Sequence, residues 1–248
     1  MNTPPFEIKT YGPDALLLEW PKKVSLKILM DILSFQEYLR KNHLTEEAWE
    51  FIPIYHSLTL IHHKGKAAME SVVKNLPTWY SACPKGRTLK TRQWELPVCY
   101  EEPFSLDLQE TARNLEMTPE TLVELHTGRD YRVYGIGFLP GFLYLGGIPE
   151  ALRIPRRKQP RIKVPKGSVG LAGEQTGVYP QESPGGWHII GNCPVPLFDA
   201  GKKPPCLISP GDQIRFRSVS KGEYELHKLE GEVGIYNYKK GNGNAKGA

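Results

Sequence analysis

YRVYGIGFLPGFLYLGG, residues 131–147, is where the chain changes texture. Upstream, apolar residues recur at helical spacings between strand-like runs. Downstream, the runs shorten to IKVP (162–165), SVGLAG (168–173), WHIIG (187–191), DQIRFRS (212–218), EYELHKL (223–229) and VGIYNY (233–238), each set between Gly or Pro turns. Short β-branched and aromatic segments with regular turn punctuation are the pattern of a closed or sandwiched sheet, and an all-β domain is expected over residues 131–240. Composition changes at the same place. Residues 1–130 carry 15 Lys+Arg, 18 Asp+Glu and 4 glycines, against 17, 9 and 20 in residues 131–248, so the net charge of +5 belongs to the second half.

In the first half FEIKTY (6–11) and ALLLEW (15–20) flank a Gly-Pro-Asp turn and read as paired strands. Ser25 is placed as an N-cap, and Ile28, Ile32, Phe35 and Leu39 share one face of a helix ending near Lys41. FIPIYHSLTLIHH (51–63) reads as a strand, Met69, Val72, Val73 and Leu76 as the apolar face of a second helix, and WELPVCYE (94–101) as a further strand. An α+β domain over residues 1–100 is the expected result, with helices on one face of a sheet. Residues 101–130 read as a helical connector, with Ser105 capping a first short helix, Thr118 and Pro119 opening a second and Gly128 ending it. The tail 241–248 is expected to be flexible.

At 248 residues with 40% hydrophobic content, the chain can bury a real core. Cys83, Cys99, Cys193 and Cys206 make neither C-x-x-C nor a Cys/His ligand spacing, and a chain this long needs no disulfide framework. No signal-peptide core or membrane-length apolar run occurs, so a reduced, cytoplasmic protein without membrane contact is expected.

The familiar catalytic templates fail. Gly65-Lys66 and Gly201-Lys202 lack the upstream glycine of a phosphate loop, and GIGFLP (135–140) ends in proline where a dinucleotide fingerprint needs glycine. GSVG (167–170) is not a nucleophile elbow. His62 and His63 are adjacent, point to opposite faces of a strand and cannot chelate one metal together, so no metal site is expected. His126 falls at a helix end, where an imidazolium would act as a cap.

Two neighbouring stretches hold the candidate chemistry. PRRKQPRIKVPKGS (155–168) carries six cations, Arg156, Arg157, Lys158, Arg161, Lys163 and Lys166, cut up by three prolines. It reads as a solvated edge strand that blocks pairing, as a nucleic-acid contact, or as a grip on an anionic ligand. No aromatic residue is interleaved and no recognition helix precedes it, which counts against nucleic acid. Arginine's planar fork suits carboxylate or phosphate. GSVGLAGEQTGVYPQESPGGWHIIG (167–191) follows, with seven glycines that either serve tight turns or let the backbone approach a ligand. Gln175, Thr176, Tyr179, Ser183, Gly185, Gly186 and Trp187 are its candidate ligand-binding residues.

The ordered series GFLPGFLYLGG (137–147), PRRKQPR (155–161), VPKGSVGLAGEQTGVYP (164–180), SPGGWHIIG (183–191), PLFD (196–199) and PGDQIRF (210–216) resembles the signature of the 5-oxoprolinase B-subunit family, also known as allophanate hydrolase subunit 1 or KipI-type kinase inhibitor. Weaker matches, DALLLEW (14–20), IPIYHSLTL (52–60) and LHTGRDYRVYGIGF (125–138), extend the resemblance over most of the chain. It implies an N-terminal α+β domain and a C-terminal cyclophilin-like β-barrel. It further implies a heteromeric, ATP-dependent hydrolase that opens 5-oxoproline to glutamate, with one partner similar to allophanate hydrolase subunit 2 and another of the LamB/YcsF type. ATP, with Mg2+, would be held mainly by the partner. Arg156, Arg157 and Arg161 stand at the family's PRR-x-x-PR positions and are the implied catalytic residues. Asn192 departs from the pattern, standing where many members carry arginine. The alternatives are a carboxyltransferase-type subunit of urea or allophanate metabolism and a non-enzymatic histidine-kinase inhibitor.

Overall fold

The computed structural model describes residues 4–63, 69–86 and 90–241, in two compact units, Met1–Lys90 and Thr91–Ala248. The expected flexible tail lies outside the described residues apart from Gly241.

In the first unit, β1 (Glu7–Thr10) and β2 (Ala15–Glu19) form the expected hairpin, and α1 (Leu26–Asn42) follows with Ser25 at its N-cap. Residues 51–63 hold more than one strand. Tyr55, at φ 54°, reverses the chain between β3 (Trp49–Ile54) and β4 (Ser57–His62). A two-residue hairpin usually shows itself by Asn-Gly or Asp-Gly, and Tyr55-His56 offers neither signal. With α2 (Met69–Ala82) the unit is an antiparallel sheet in the order β1-β2-β4-β3 and two helices. Leu16, Leu18, Leu58 and Leu60 alternate onto one face of the sheet and share a core with Ile32, Phe35 and Leu39 of α1 and Val72 and Leu76 of α2. Each such burial contributes about 1.5–3 kcal/mol, which fixes the helices on that face.

The second unit begins earlier than the sequence suggests. β5 (Gln93–Val98), assigned above to the first domain, pairs in parallel with β13 (Gln213–Ser218). The expected connector is part of the same core, because Leu108 and Ala112 of α3 (Leu108–Asn114) and Leu122 of α4 (Pro119–Thr127) pack against the sheet residues Trp94, Val133 and Phe216. The N-cap of α3 is Asp107, not Ser105. Thr118 does cap α4, its hydroxyl accepting from the Thr121 N–H at 3.2 Å. The remaining strands are β6 (Asp130–Ile136), β7 (Leu143–Gly146), β8 (Arg161–Val164), β9 (Ser168–Ala172), β10 (Gln175–Val178), β11 (Ser183–Gly185), β12 (His188–Asn192) and β14 (Lys240–Gly241).

Eight strands form one mixed sheet, in the order β12-β9-β10-β7-β6-β13-β5-β14. Just past the end of β5, Cys99 and Asn192 exchange both backbone hydrogen bonds at 2.9 Å, so β12 returns to β5 and seven strands form a ring. Gly191 permits this seam, since a Cβ there would lie 2.8 Å from Val98 Cγ1 and 2.9 Å from Cys99 O. Asn192 completes it, donating to Lys166 O at 2.8 Å and accepting from Tyr224 OH at 3.0 Å. The residue replacing the family arginine therefore works in the seam.

The unit is not all-β. EYELHKL, read as a strand, lies in α5 (Lys221–Glu232), which Ser220 and Glu223 start with a reciprocal capping box. Tyr224 is the residue it buries, while Leu226 and Leu229 face solvent, so the apolar alternation marked no sheet position. VGIYNY forms no strand.

His126 is the other correction. It lies in the last turn of α4 but is fully buried: Nδ1 is 2.7 Å from Tyr100 OH, Nε2 is 2.9 Å from Thr176 Oγ1, and the ring stacks on Phe216 at 4.7 Å. Burial lowers its pKa from 6.5 to about 3, so it is a neutral core residue and no cationic cap. An unfolded His126 takes up its proton near pH 6.5 and the folded one only near pH 3, so acid favours the unfolded chain between those values. Above that window it carries no penalty. Stability should fall by up to about 1.4 kcal/mol per pH unit through this group as pH drops, and His126→Gln should flatten the dependence in calorimetric melts, whatever its effect at neutral pH.

Candidate active site: an aromatic cavity beside a cationic groove

Asp107 opens α3, yet its carboxylate makes no cap hydrogen bond. It engages the cationic strip instead. Arg161 grips it with both arms of the fork, Nη1 to Oδ2 at 2.7 Å and Nη2 to Oδ1 at 2.6 Å, and Arg157 Nη1 donates to Oδ1 at 2.8 Å. The Ile189 N–H of β12 donates to Oδ2 at 2.7 Å, and the Asp107 N–H donates back to Ile189 O at 2.7 Å. The carboxylate is 1% exposed, so this ring of charge-assisted bonds is what makes its burial tolerable. Two of the three arginines expected to act on a ligand are thus held by an internal acid. No local pattern pointed to Asp107, which lies 50 residues before Arg157.

The strip is in part the edge strand envisaged as one reading: β8 pairs with β11 in a separate two-stranded ribbon, and Ile162 points to solvent. The Arg157 N–H also donates to Gly186 O at 2.8 Å, pinning the strip to the glycine turn.

Arg156 behaves differently. It is exposed, makes no ion pair among the described residues, and borders two hollows. One is a cavity of about 110 Å³ walled by Phe138, Phe142, Tyr144, Tyr179 and Trp187 and closed by Pro184, Gly185 and Gly186. Tyr179 and Trp187 each stand edge-on to Phe142, at 5.0 and 5.4 Å between ring centres, a mutually locking arrangement. Burial pushes the Tyr179 phenol up to about 12 and raises that of Tyr144, with Arg156 pulling both the other way, so both remain O–H donors at neutral pH. Gly185 is required here: a Cβ would sit 2.5 Å from Tyr179 Oη.

Four of the expected ligand residues, Tyr179, Gly185, Gly186 and Trp187, therefore meet around one cavity with Arg156 at its rim. Thr176 is spent on His126, Gln175 lies on β10 away from this lining, and the buried Ser183 hydroxyl donates to Pro184 O at 3.2 Å. Sequence reading missed Phe138, Phe142 and Tyr144 as cavity walls. Phe138 is the informative one: a bulky residue at φ 67°, 67% exposed, is held in a conformation that bulky side chains avoid, and such strain gathers at functional sites. The other hollow is a groove of about 620 Å³, bordered by Arg156 together with Glu110, Arg153, Arg157, Lys158 and His188. Among the described residues no group of three His, Cys, Asp or Glu side chains is placed to hold a metal, and no helix is long and apolar enough to cross a membrane.

The family described as "Carboxyltransferase domain, subdomain C and D" matches residues 6–208. The 5-oxoprolinase B-subunit of Bacillus subtilis (strain 168) is 32% identical over 235 residues, 91% of this chain and 98% of that protein. The chain belongs to the 5-oxoprolinase B-subunit family. The crystal structure of TTHA0988 is similar with a TM-score of 0.72 at 32% identity, over 83% of this chain and 40% of that one. Kluyveromyces lactis urea carboxylase shares the fold, with a TM-score of 0.77 over 95% of this chain and 24% of that one at 17% identity.

Asp107→Asn should leave two guanidiniums facing a neutral amide, and chemical denaturation should show a loss of about 2–4 kcal/mol, tempered by the 23% and 26% exposure of the arginine side chains. Arg161→Lys keeps the charge but loses the fork and should cost less. Arg156→Lys should leave stability unchanged.

Proposed function

We propose that this chain is a subunit of an ATP-dependent 5-oxoprolinase complex and that the aromatic cavity holds the lactam ring of 5-oxoproline. The observation that carries the reading is the convergence of Arg156, the free arginine of the PRR-x-x-PR motif, with Tyr179, Gly185, Gly186 and Trp187 on one small cavity, in a chain whose relatives are named for that reaction. The seven-strand ring fits the cyclophilin-like barrel of the family. Four cysteines without disulfides fit a reducing cytoplasm.

An amide carbon is a poor electrophile. Bound ATP would supply the phosphoryl group for the lactam oxygen; one water would then add to the ring carbon and the C–N bond open to the amine, leaving an acyl phosphate, and a second water would release phosphate and leave the new carboxylate. The chain's contribution is positional and electrostatic. Phe142 and Trp187 flank the ring's CH₂ groups, the Tyr144 and Tyr179 hydroxyls donate to its polar atoms, and Arg156 at the rim neutralises charge developing on the transferring group. Partners similar to allophanate hydrolase subunit 2 and of the LamB/YcsF type complete the site and hold most of the ATP. The carboxyltransferase description of the matching family and the shared fold with urea carboxylase favour one other reading, in which the same cavity presents an amide nitrogen for carboxylation.

In the reconstituted complex, glutamate release should require ATP and all subunits, with none from this chain alone. Arg156→Lys should lower kcat at least about tenfold, on the order of 1.4 kcal/mol of transition-state stabilisation, with an unchanged melting temperature. Turnover within about twofold of wild type in that variant, or product formation that needs bicarbonate and not 5-oxoproline, would count against the lactam reading.

A further inference from the structure

Two side chains that line the cationic groove each carry a buried polar atom without a hydrogen-bond partner among the described residues. His188 Nε2 lies 2.9 Å from Pro155 O, so Nε2 carries the hydrogen and donates it. In the neutral ring Nδ1 is then a bare acceptor, and it is buried without a partner in a residue only 6% exposed. The Arg157 Nε–H, a donor, is likewise buried and unpartnered. Both side chains line the same groove. Buried polar atoms are nearly always bonded, so a donor and an acceptor left open on one cavity point to a bound group that supplies both.

Charge narrows the choice. Four cations, Arg153, Arg156, Arg157 and Lys158, border the groove against the carboxylate of Glu110. Arg153 is answered by Glu174 at 3.1 Å, and Arg157 by Asp107 and Glu110. Arg156 and Lys158 have no counter-charge among the described residues. A ligand that suits all of this carries negative charge for two cations, an acceptor for Arg157 Nε–H and a hydroxyl for His188 Nδ1. Sulfate and carboxylate ions lack the hydroxyl. Hydrogen phosphate has every part.

We infer that the groove is a phosphate-binding subsite in which Arg156 and Lys158 supply the charge and His188 Nδ1 accepts a hydrogen bond from P–OH. Arg156 borders both hollows, so a phosphate in the groove lies next to whatever fills the aromatic cavity. Assigning that phosphate to the phosphoryl-transfer step rests on the function proposed above; the binding itself does not.

The test is calorimetric titration of the full chain with inorganic phosphate, at an ionic strength fixed with sodium chloride. One saturable site is expected, weakened at least about threefold by Lys158→Gln and at least about tenfold by that change combined with Arg156→Gln. Phosphate should bind at least about fivefold more tightly than sulfate, and His188→Phe, which keeps a ring and removes Nδ1, should abolish the preference. Lys158 is exposed, so its variant reads the site even where His188→Phe does not fold. Parallel titrations with tripolyphosphate and ATP separate the sources: ATP binding at least about tenfold more tightly than phosphate marks a nucleotide's phosphates, and equal affinity marks free phosphate. No saturable binding up to about 50 mM, or binding indifferent to both substitutions, overturns the subsite; equal affinity for sulfate overturns the role of His188. Phosphate binding with a complex inert toward 5-oxoproline would refute the proposed function and leave the subsite standing. Turnover without phosphate binding would do the reverse.

Discussion

Burying the Asp107 carboxylate at the start of α3 would cost several kcal/mol if it stood alone, and its donors come from three separate places: Arg157 in the proline-cut strip, Arg161 on β8 and the Ile189 N–H on β12. None of these reaches the carboxylate unless helix, ribbon and sheet are already in register. The penalty therefore selects one arrangement of the surrounding chain. It also sorts three arginines of one motif into two classes. Arg157 and Arg161 are consumed by the internal acid, and Arg156, beside them in sequence, is left at the rim of the cavity with no counter-charge among the described residues.

A second buried carboxylate does the same at the entrance to the sheet. Asp212 accepts from the Arg92 N–H at 2.8 Å through Oδ1, and from Trp94 Nε1 at 2.9 Å and the Ser209 N–H at 3.0 Å through Oδ2. These bonds tie the start of β5 to the start of β13, strands more than a hundred residues apart, and explain why residues 93–98 belong to the second unit although they follow the first in sequence. At the far end of β5, Asn192 and Gly191 close the ring. Polar groups thus set the register at both ends of a strand whose middle is apolar, and the core of Leu96, Val133, Leu145, Ile190 and Phe216 fills what they enclose.

Legibility followed the range of the interactions. Local signals read correctly: Thr118 as a cap, the α1 face of Ile32, Phe35 and Leu39, and the turn-bounded runs that became β8, β9, β12 and β13. The α5 helix failed because its stripe is largely solvent-facing, so periodicity there reported no burial, and the stronger signal was the Ser220–Glu223 capping box. The Tyr55 turn failed because its backbone reversal is set by the β3–β4 pairing and not by a turn residue. For the candidate site, composition singled out two stretches that do meet around one cavity, and it misjudged the partners of their arginines. A guanidinium fork was a sound reason to seek an anion, but the anion that claims Arg161 is inside the protein, and no pattern in one sequence pairs residue 107 with residue 161. The family motif grouped three arginines that geometry separates.

The cavity depends on that separation in a further way. Its walls are rings wedged edge-on against one another, its floor approaches Tyr179 so closely that Gly185 cannot carry a side chain, and its lip is Phe138, held in a backbone region that costs on the order of 1–3 kcal/mol. Such a lip persists only where its surroundings over-determine it, and here Phe142 meets it edge-on at 5.9 Å while Tyr179 and Trp187 brace Phe142 from within. Under the function proposed above, rigid walls with an exposed cation at the rim, unpaired among the described residues, are the arrangement electrostatic catalysis calls for, because dipoles and charges fixed beforehand need not reorganise as charge moves. Arg157 and Arg161 are both held on Asp107, and the Arg157 N–H is bonded to Gly186 O, so Arg156 is presented from the residue that immediately precedes this anchored stretch.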